Sequence, residues 1–338
     1  METINVLVAR PFPAALMNKL ENISPRFNIT QRVPASAEEL ADLVGSVEIL
    51  YAPALLPEPE DAPRLRWVQI HSAGADQILQ HRLFTETDVT ITTTSGIHAV
   101  NIAEYVFAQM LAFAHHLPTM FEDKRAKNWP EDRWERYLPH ELRGATVGIV
   151  GYGSIGREVA RLADAFGMRV LAVKANLRKL TNEDAYQLPD TGDPEAEIPD
   201  RIYPVEALTS MASECDYLVL TLPLTDRTRG LVNASTFAAM KSTAVLINVA
   251  RGGIVDEGAL IDALRRGHIA GAALDVFEEE PLPPESPLWE LPNVILSPHI
   301  SGVTPHYDER ATDLFAENLR RFAAGEPLLN VVSRQRGY

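Results

Sequence analysis

Short runs of consecutive apolar residues alternate along this chain with stretches whose apolar positions recur every three or four residues. In the first hundred residues, the runs at 5–9, 48–51, 67–70 and 89–93 predict strands, separated by Pro-rich turns such as Pro57-Glu58-Pro59. A buried strand shows an unbroken apolar run, whereas a helix shows a single apolar stripe. Ile102, Tyr105, Val106, Met110 and Phe113 carry such a stripe through a long helix over 98–116. The stretch 122–143 has little periodicity and is expected to be an arm or extended loop. A second series starts at Thr146, with strands at 147–150, 169–173, 217–221, 244–248, 270–274 and 294–296. Helices lie between them, among them 155–166 and 256–266. The segment 181–199, rich in Pro, Asp, Glu and Gly, is expected to be a surface loop, and a last helix runs over 305–323. Strands alternating with helices predict parallel sheets covered on both faces. The expected fold class is α/β with two doubly wound parallel sheets. The smaller domain takes 1–97 and 303–338; the larger takes 98–302 and carries the arm at 122–143.

Composition narrows the function. The formal net charge of −15 argues against a general binder of nucleic acid or anionic membrane, which would show a basic face. It leaves a local basic pocket for a small acid open. The single cysteine, Cys215, has no partner for an internal disulfide, and no Cys/His cluster has zinc-ligand spacing, so no metal is expected. No apolar run approaches the roughly 18 residues of a membrane span. The start, 1–9, reads as a strand too short for a signal-peptide core. A cytoplasmic location is the expectation.

The sharpest local signal is Gly151-Tyr152-Gly153-Ser154-Ile155-Gly156, which matches G-x-G-x-x-G. A predicted strand precedes it and a predicted helix follows, the context in which this pattern binds a dinucleotide. Gly151 permits the tight turn, Gly153 leaves room for the pyrophosphate and Gly156 lets helix and strand pack closely. The helix start offers backbone N–H groups and the positive dipole end to phosphate. About 20 residues on, NAD-binding chains place an acid that holds the ribose hydroxyls. Here that place is held by Lys174, with Arg178 nearby. With no acid to repel a 2′-phosphate and a cation to pair with it, NADP(H) is favoured and NAD(H) is the alternative.

Three further loops follow predicted strands of the second series: Asn248-Val249-Ala250-Arg251-Gly252-Gly253, then 274–282 with Asp275, Glu280 and Pro281, then Ser297-Pro298-His299-Ile300-Ser301-Gly302. In a parallel sheet all carboxyl ends share one edge, where ligands bind. These stretches, with 142–150, Leu222-Pro223-Leu224-Thr225, Met240-Lys241 and 248–256, resemble the D-isomer-specific 2-hydroxyacid dehydrogenase family over nearly the whole chain. Within it the chain looks most like the short glyoxylate and hydroxypyruvate reductases. It departs from the common pattern at Lys174, where many members carry Asp. It ends soon after the last helix, so it is expected to lack the regulatory domain of the long phosphoglycerate dehydrogenases. Position 280 is Glu and not the Gln of formate dehydrogenases, which makes formate a poor substrate.

The resemblance implies a Rossmann domain beside a flavodoxin-like substrate domain, and NAD(P)H-dependent interconversion of a small 2-oxo acid and its D-2-hydroxy acid. It implies a catalytic trio. His299 exchanges a proton with the substrate oxygen, Glu280 orients the ring and stabilises it while charged, and Arg251 holds the substrate carboxylate with its planar fork. It places Ala73 and Gly74, in His71-Ser72-Ala73-Gly74, at the substrate carboxylate. Leu222 and Pro223 would line the adenine side, Val249 and Ala250 would contact the cofactor by backbone, and Asp275 would hold the nicotinamide amide. The arm, with Trp129 and Trp134, would help form a homodimer. Two alternatives stay open: a sensor or corepressor that binds NAD(P)H without turnover, and a dehydrogenase for D-lactate, phosphite or a bulkier acid. An intact proton donor argues against the sensor, and a turnover assay separates the two.

Overall fold

A computed structural model of the chain describes residues 3–53, 55–181, 185–335 and 337. It divides into two units: residues 1–97, 183–188 and 304–338, and residues 98–182 and 189–303. The first unit is built on strands β1 (Ile4–Val8), β2 (Phe27–Gln31), β3 (Ile49–Ala52), β4 (Trp67–Ile70) and β5 (Thr90–Thr92). They pair in parallel in the order β2-β1-β3-β4-β5, the flavodoxin-like arrangement. Alternate residues point to opposite faces of a strand. Leu7, Leu50 and Val68 therefore enter one core, and Val6, Val8, Tyr51 and Trp67 the other, against Phe315 and Leu319 of the closing helix, Tyr307–Ala324.

The second unit carries seven parallel strands: β6 (Thr146–Val150), β7 (Arg169–Val173), β8 (Arg201–Tyr203), β9 (Tyr217–Leu220), β10 (Val245–Asn248), β11 (Gly271–Leu274) and β12 (Val294–Leu296). Their order is β12-β11-β10-β9-β6-β7-β8. This is the dinucleotide-binding order 3-2-1-4-5-6 with one strand added beyond its last. The winding reverses between β6 and β9, which is where such sheets take ligands. Leu171, Leu218, Leu246 and Leu274 fill one face, and Ile149, Val219 and Ile247 the other.

The structure corrects the sequence reading in several places. β2 and β8 were not expected, and both are edge strands. β2 buries Phe27 while turning Asn28 and Thr30 to solvent, so it shows no unbroken apolar run. The stretch 122–143 is not an extended loop: helix Leu117–Ala126 runs into it and a short helix, Arg133–Arg136, lies inside it. Asp123 clasps the two, accepting hydrogen bonds from Asn128 Nδ2 at 2.7 Å and from the Tyr137 hydroxyl, and pairing with Arg136 at 2.9 Å. The described part of 181–199 holds no regular element, as expected, but it is not simply surface, because Asp193 is buried. Asn182, Glu183 and Asp184 of that segment, and Met1 and Glu2 of the first expected strand, lie outside the described residues.

Candidate active site

β6 is wholly buried and ends at Gly151, whose φ of +104° suits only glycine. A Cβ at Gly151 would meet Leu222 at 2.8 Å, and one at Gly156 would lie 2.3 Å from the Gly151 oxygen. These two glycines let turn, helix and β9 pack together. Gly153 differs: a Cβ there would have nothing within 4 Å. It opens helix Ser154–Ala165, whose N-terminus has no side-chain cap and no acid in its first turn. The helix start therefore keeps backbone donors for an anion, with open space at Gly153.

Tyr152 departs from its expected use. Its ring is buried, its hydroxyl donates to Asp193 Oδ2 at 2.5 Å, and the Arg157 guanidinium lies 4.8 Å over the ring. Burial and then Asp193 push the hydroxyl's pKa above the ordinary tyrosine value. Only the backbone of Tyr152 is left for a cofactor. Arg157 donates to the backbone oxygens of Asp193 and Leu180, and Glu158 accepts from the Gly192 amide at 2.6 Å. Together they bind Leu180, Gly192 and Asp193 onto the helix.

Lys174 follows β7 directly. Its ammonium donates to the Tyr152 oxygen at 3.2 Å, which draws the charge toward the glycine-rich turn. Burial, then the charges of Arg157 and Lys179, push its pKa down to about 8. Lys179 and Arg157 are cations that the sequence reading had not placed near this corner. Arg178 is exposed and its amide closes an Asx turn on Asn176 at 3.0 Å.

The trio stands on loops after β10, β11 and β12. The His299 Nδ1 lies 2.7 Å from Glu280 Oε2. A carboxylate only accepts, so Nδ1 is the donor and Nε2 is the nitrogen left for other chemistry. Glu280 is itself oriented by the Phe277 amide, 3.0 Å from Oε1. Both side chains are partly exposed, His299 by 48% and Glu280 by 36%, so the pair is reachable. His299 has a left-handed backbone, φ +53°, uncommon outside glycine. Its amide bonds to the Asp275 oxygen at 2.9 Å.

Asp275 is fully buried and busier than expected. Oδ1 accepts from Ser297 Oγ at 2.6 Å and the Ile300 amide at 2.9 Å, and Oδ2 accepts from the Ser301 amide at 2.9 Å. It shapes the His299 loop, and a nicotinamide amide has only the second lone pair of Oδ2 left to it. Arg251 has an extended backbone and is half-buried, with Nη1 donating to the Ala250 oxygen at 2.8 Å. Asn248, overlooked as a functional residue, holds this loop: Oδ1 accepts from the Ala250 amide at 3.1 Å and Nδ2 donates to the Arg251 oxygen at 3.0 Å. Asn248 thus takes the Ala250 amide and Arg251 Nη1 bonds the Ala250 oxygen, while Val249 lies buried beside them. Gly252 joins the Arg251 and Glu280 loops, since a Cβ there would lie 1.8 Å from the Phe277 carbonyl carbon. The doubled glycine at 252–253 was the visible signal for that approach. Leu222 is half-buried and Pro223 exposed after β9.

In the other unit, Ala73 and Gly74 lie on the loop after β4. The His71 oxygen at its root accepts from Thr94 Oγ1 at 2.6 Å and the Tyr307 hydroxyl at 2.8 Å. Among the described residues no group of three or more His, Cys, Asp or Glu is placed to hold a metal ion. No helix among them is long and apolar enough to cross a membrane.

Comparison with known proteins agrees with this architecture. Residues 107–301 match the family model described as D-isomer specific 2-hydroxyacid dehydrogenase, NAD binding domain. A glyoxylate reductase from Korarchaeum cryptofilum is 33% identical over 98% of this chain and 96% of its own. One from Aeropyrum pernix is 39% identical over 81% and 78%. Among solved structures, a D-isomer specific 2-hydroxyacid dehydrogenase from Xanthobacter autotrophicus, in complex with NADPH and MES, is 30% identical, with a TM-score of 0.79 over 100% of both chains. An NADPH-dependent glyoxylate/hydroxypyruvate reductase from Sinorhizobium meliloti, in complex with NADP and sulfate, is 26% identical, with a TM-score of 0.75 over 99% of this chain and 100% of its own. The chain belongs to the D-isomer specific 2-hydroxyacid dehydrogenase family of NAD(P)-dependent oxidoreductases.

Proposed function

We propose that this enzyme reduces glyoxylate and hydroxypyruvate to their D-2-hydroxy acids, with NADPH preferred and NADH usable. The observation that carries the proposal is the His299–Glu280 pair at 2.7 Å, with Nε2 left to exchange a proton. The cradle suits a dinucleotide, given the open space at Gly153 and the uncapped helix start behind it. When bound, the nicotinamide supplies the hydride. The residues of the chain do the rest. Ser154, Ile155 and Gly156 offer backbone donors to the pyrophosphate, and Lys174 pairs with the 2′-phosphate. His299 gives its Nε2 proton to the substrate oxygen as charge builds there, and Glu280 keeps the ring aligned and balances its charge. Arg251 holds the substrate carboxylate. The relatives named for glyoxylate and hydroxypyruvate support the choice of substrate, and the NADPH and NADP complexes support that of cofactor.

The enzyme is further proposed to act in the cytoplasm as a homodimer joined through the arm. The arm leaves Trp129 82% and Trp134 78% exposed, and Trp134 lines a surface hollow with the exposed Leu138, apolar surface that isolated domains seldom offer to water. The direct test of the activity is NADPH and NADH consumption with glyoxylate, hydroxypyruvate and pyruvate. Faster use of NADPH with either of the first two acids is the expected result. Saturable NADPH binding with no turnover on any of them would overturn the substrate assignment.

A further inference from the structure

We infer that Tyr105 is a positioning residue for His299, acting through Ser297 and Asp275. The inference rests on the proton-transfer role proposed for His299. A left-handed backbone at a residue with a side chain is strained and persists only where its surroundings over-determine it. Around His299 those surroundings are explicit. Asp275 binds the loop through the Ser297 hydroxyl, the His299 amide and the Ile300 and Ser301 amides. Helix Ala99–Ala114 holds the two ends of the same segment. Tyr105 Oη lies 2.5 Å from Ser297 Oγ, and Asn101 Nδ2 donates to the Ser301 oxygen at 2.7 Å. Positions 101 and 105 share one helix face.

The direction of the chain follows from proton counting. A serine hydroxyl has one proton, and the Asp275 carboxylate can only accept, so Ser297 gives its proton to Asp275. Ser297 Oγ must then accept, which makes Tyr105 the donor: Tyr105 to Ser297 to Asp275. Burial, foremost, and the Asp275 charge hold the Tyr105 pKa above its ordinary value, against the opposing influence of its contacts with Ser297 and Gln109. The phenol thus keeps the proton this chain requires. Without that proton Ser297 loses its donor, the Asp275 carboxylate loses part of its fixed alignment, and the strained turn that presents Nε2 relaxes.

The test uses full-length enzyme and whichever 2-oxo acid the wild type reduces. Wild-type turnover tests the proposed function, and the ratios between variants test this inference. Tyr105→Phe keeps the ring and removes only the hydroxyl. Its turnover, counted per NADPH-binding site, is expected to fall about tenfold, with KM for the oxo acid and Kd for NADPH little changed. Ser297→Ala is expected to lose at least as much. The double variant is expected to be no slower than Ser297→Ala alone, because Tyr105 would have nothing left to act through. Losses that multiply in the double variant, or full turnover in Tyr105→Phe, would overturn the inference. Hydrogen exchange reads the same loop without activity. The Ile300 and Ser301 amides are expected to exchange faster in Tyr105→Phe, and unchanged exchange there would also overturn it.

Discussion

Raising the pH from about 7 to about 9 should weaken NADPH binding roughly tenfold while NADH binding stays level. The perturbed group is Lys174, whose pKa is pushed down to about 8 by burial, then by Arg157 and Lys179. A lowered lysine is charged below that value and neutral above it, so its attraction for phosphate is present at low pH and lost as pH rises. Near pH 7 roughly nine-tenths of the free enzyme carries the charge, and near pH 9 roughly one-tenth, so the binding-competent fraction falls about tenfold. The 2′-phosphate has its second pKa near 6 and stays dianionic across that range. Pairing raises the lysine's pKa in the complex, so protonation of the free enzyme sets the curve. NADH lacks the 2′-phosphate and should not report the change. Fluorescence titration of both cofactors across the pH range measures it, and Lys174→Met should bind NADPH more weakly with a flat profile. Parallel curves for the two cofactors, or unchanged NADPH affinity in Lys174→Met, would refute the assignment of Lys174 to the phosphate.

Three other outcomes are expected. His299→Gln should lower turnover by about 10²-fold or more while NADPH still binds, because only the proton donor is removed; near-normal turnover in a stopped assay would count against that role. Gly252→Ala would put a methyl 1.8 Å from the Phe277 carbonyl carbon and 2.3 Å from the Glu278 nitrogen, so the Arg251 and Glu280 loops must part. The cost should be at least about 1–3 kcal/mol, seen as a lower Tm, with a loss of turnover in the fraction that stays folded. Trp134→Glu places a charge in the exposed patch of the arm and should shift the enzyme from dimer to monomer in sedimentation, whereas an unchanged mass would argue against the arm as the contact.

The central strands were legible because both of their faces are buried, which leaves an unbroken apolar run such as Val147 to Val150. The edges were not. β2 and β8 each face solvent on one side, and Arg201-Ile202-Tyr203 carries no pattern to read. The arm's helices were hidden for a related reason: helix Arg133–Arg136 buries no residue, so no core-facing stripe marks it, and the Asp123 clasp that organises the arm is polar.

In the site, legibility depended on how many partners a residue type could choose. Gly151, Gly153 and Gly156 act by lacking a side chain, so their spacing already implied a turn, an open cradle and a close approach. Glu280 and His299 are one acceptor and one donor, and they meet. Tyr152 and Asp275 had a choice. From sequence, Tyr152 faced either a cofactor or the core, and what decides it is Asp193, 41 positions away in a segment whose composition suggests solvent. Asp275 faced a nicotinamide or its own chain, and the Ser297 hydroxyl and two amides claim it from more than 20 positions on. A buried carboxylate is stable only when its acceptor sites are filled, so the nearest donors in space take it whatever their distance in sequence. The same rule separates the two carboxylates at the sheet edge. Asp275, buried and bonded to the loop through both of its oxygens, is committed to shape, whereas Glu280, with one oxygen on an amide and the other on a partly exposed imidazole, is committed to the ring that exchanges the proton.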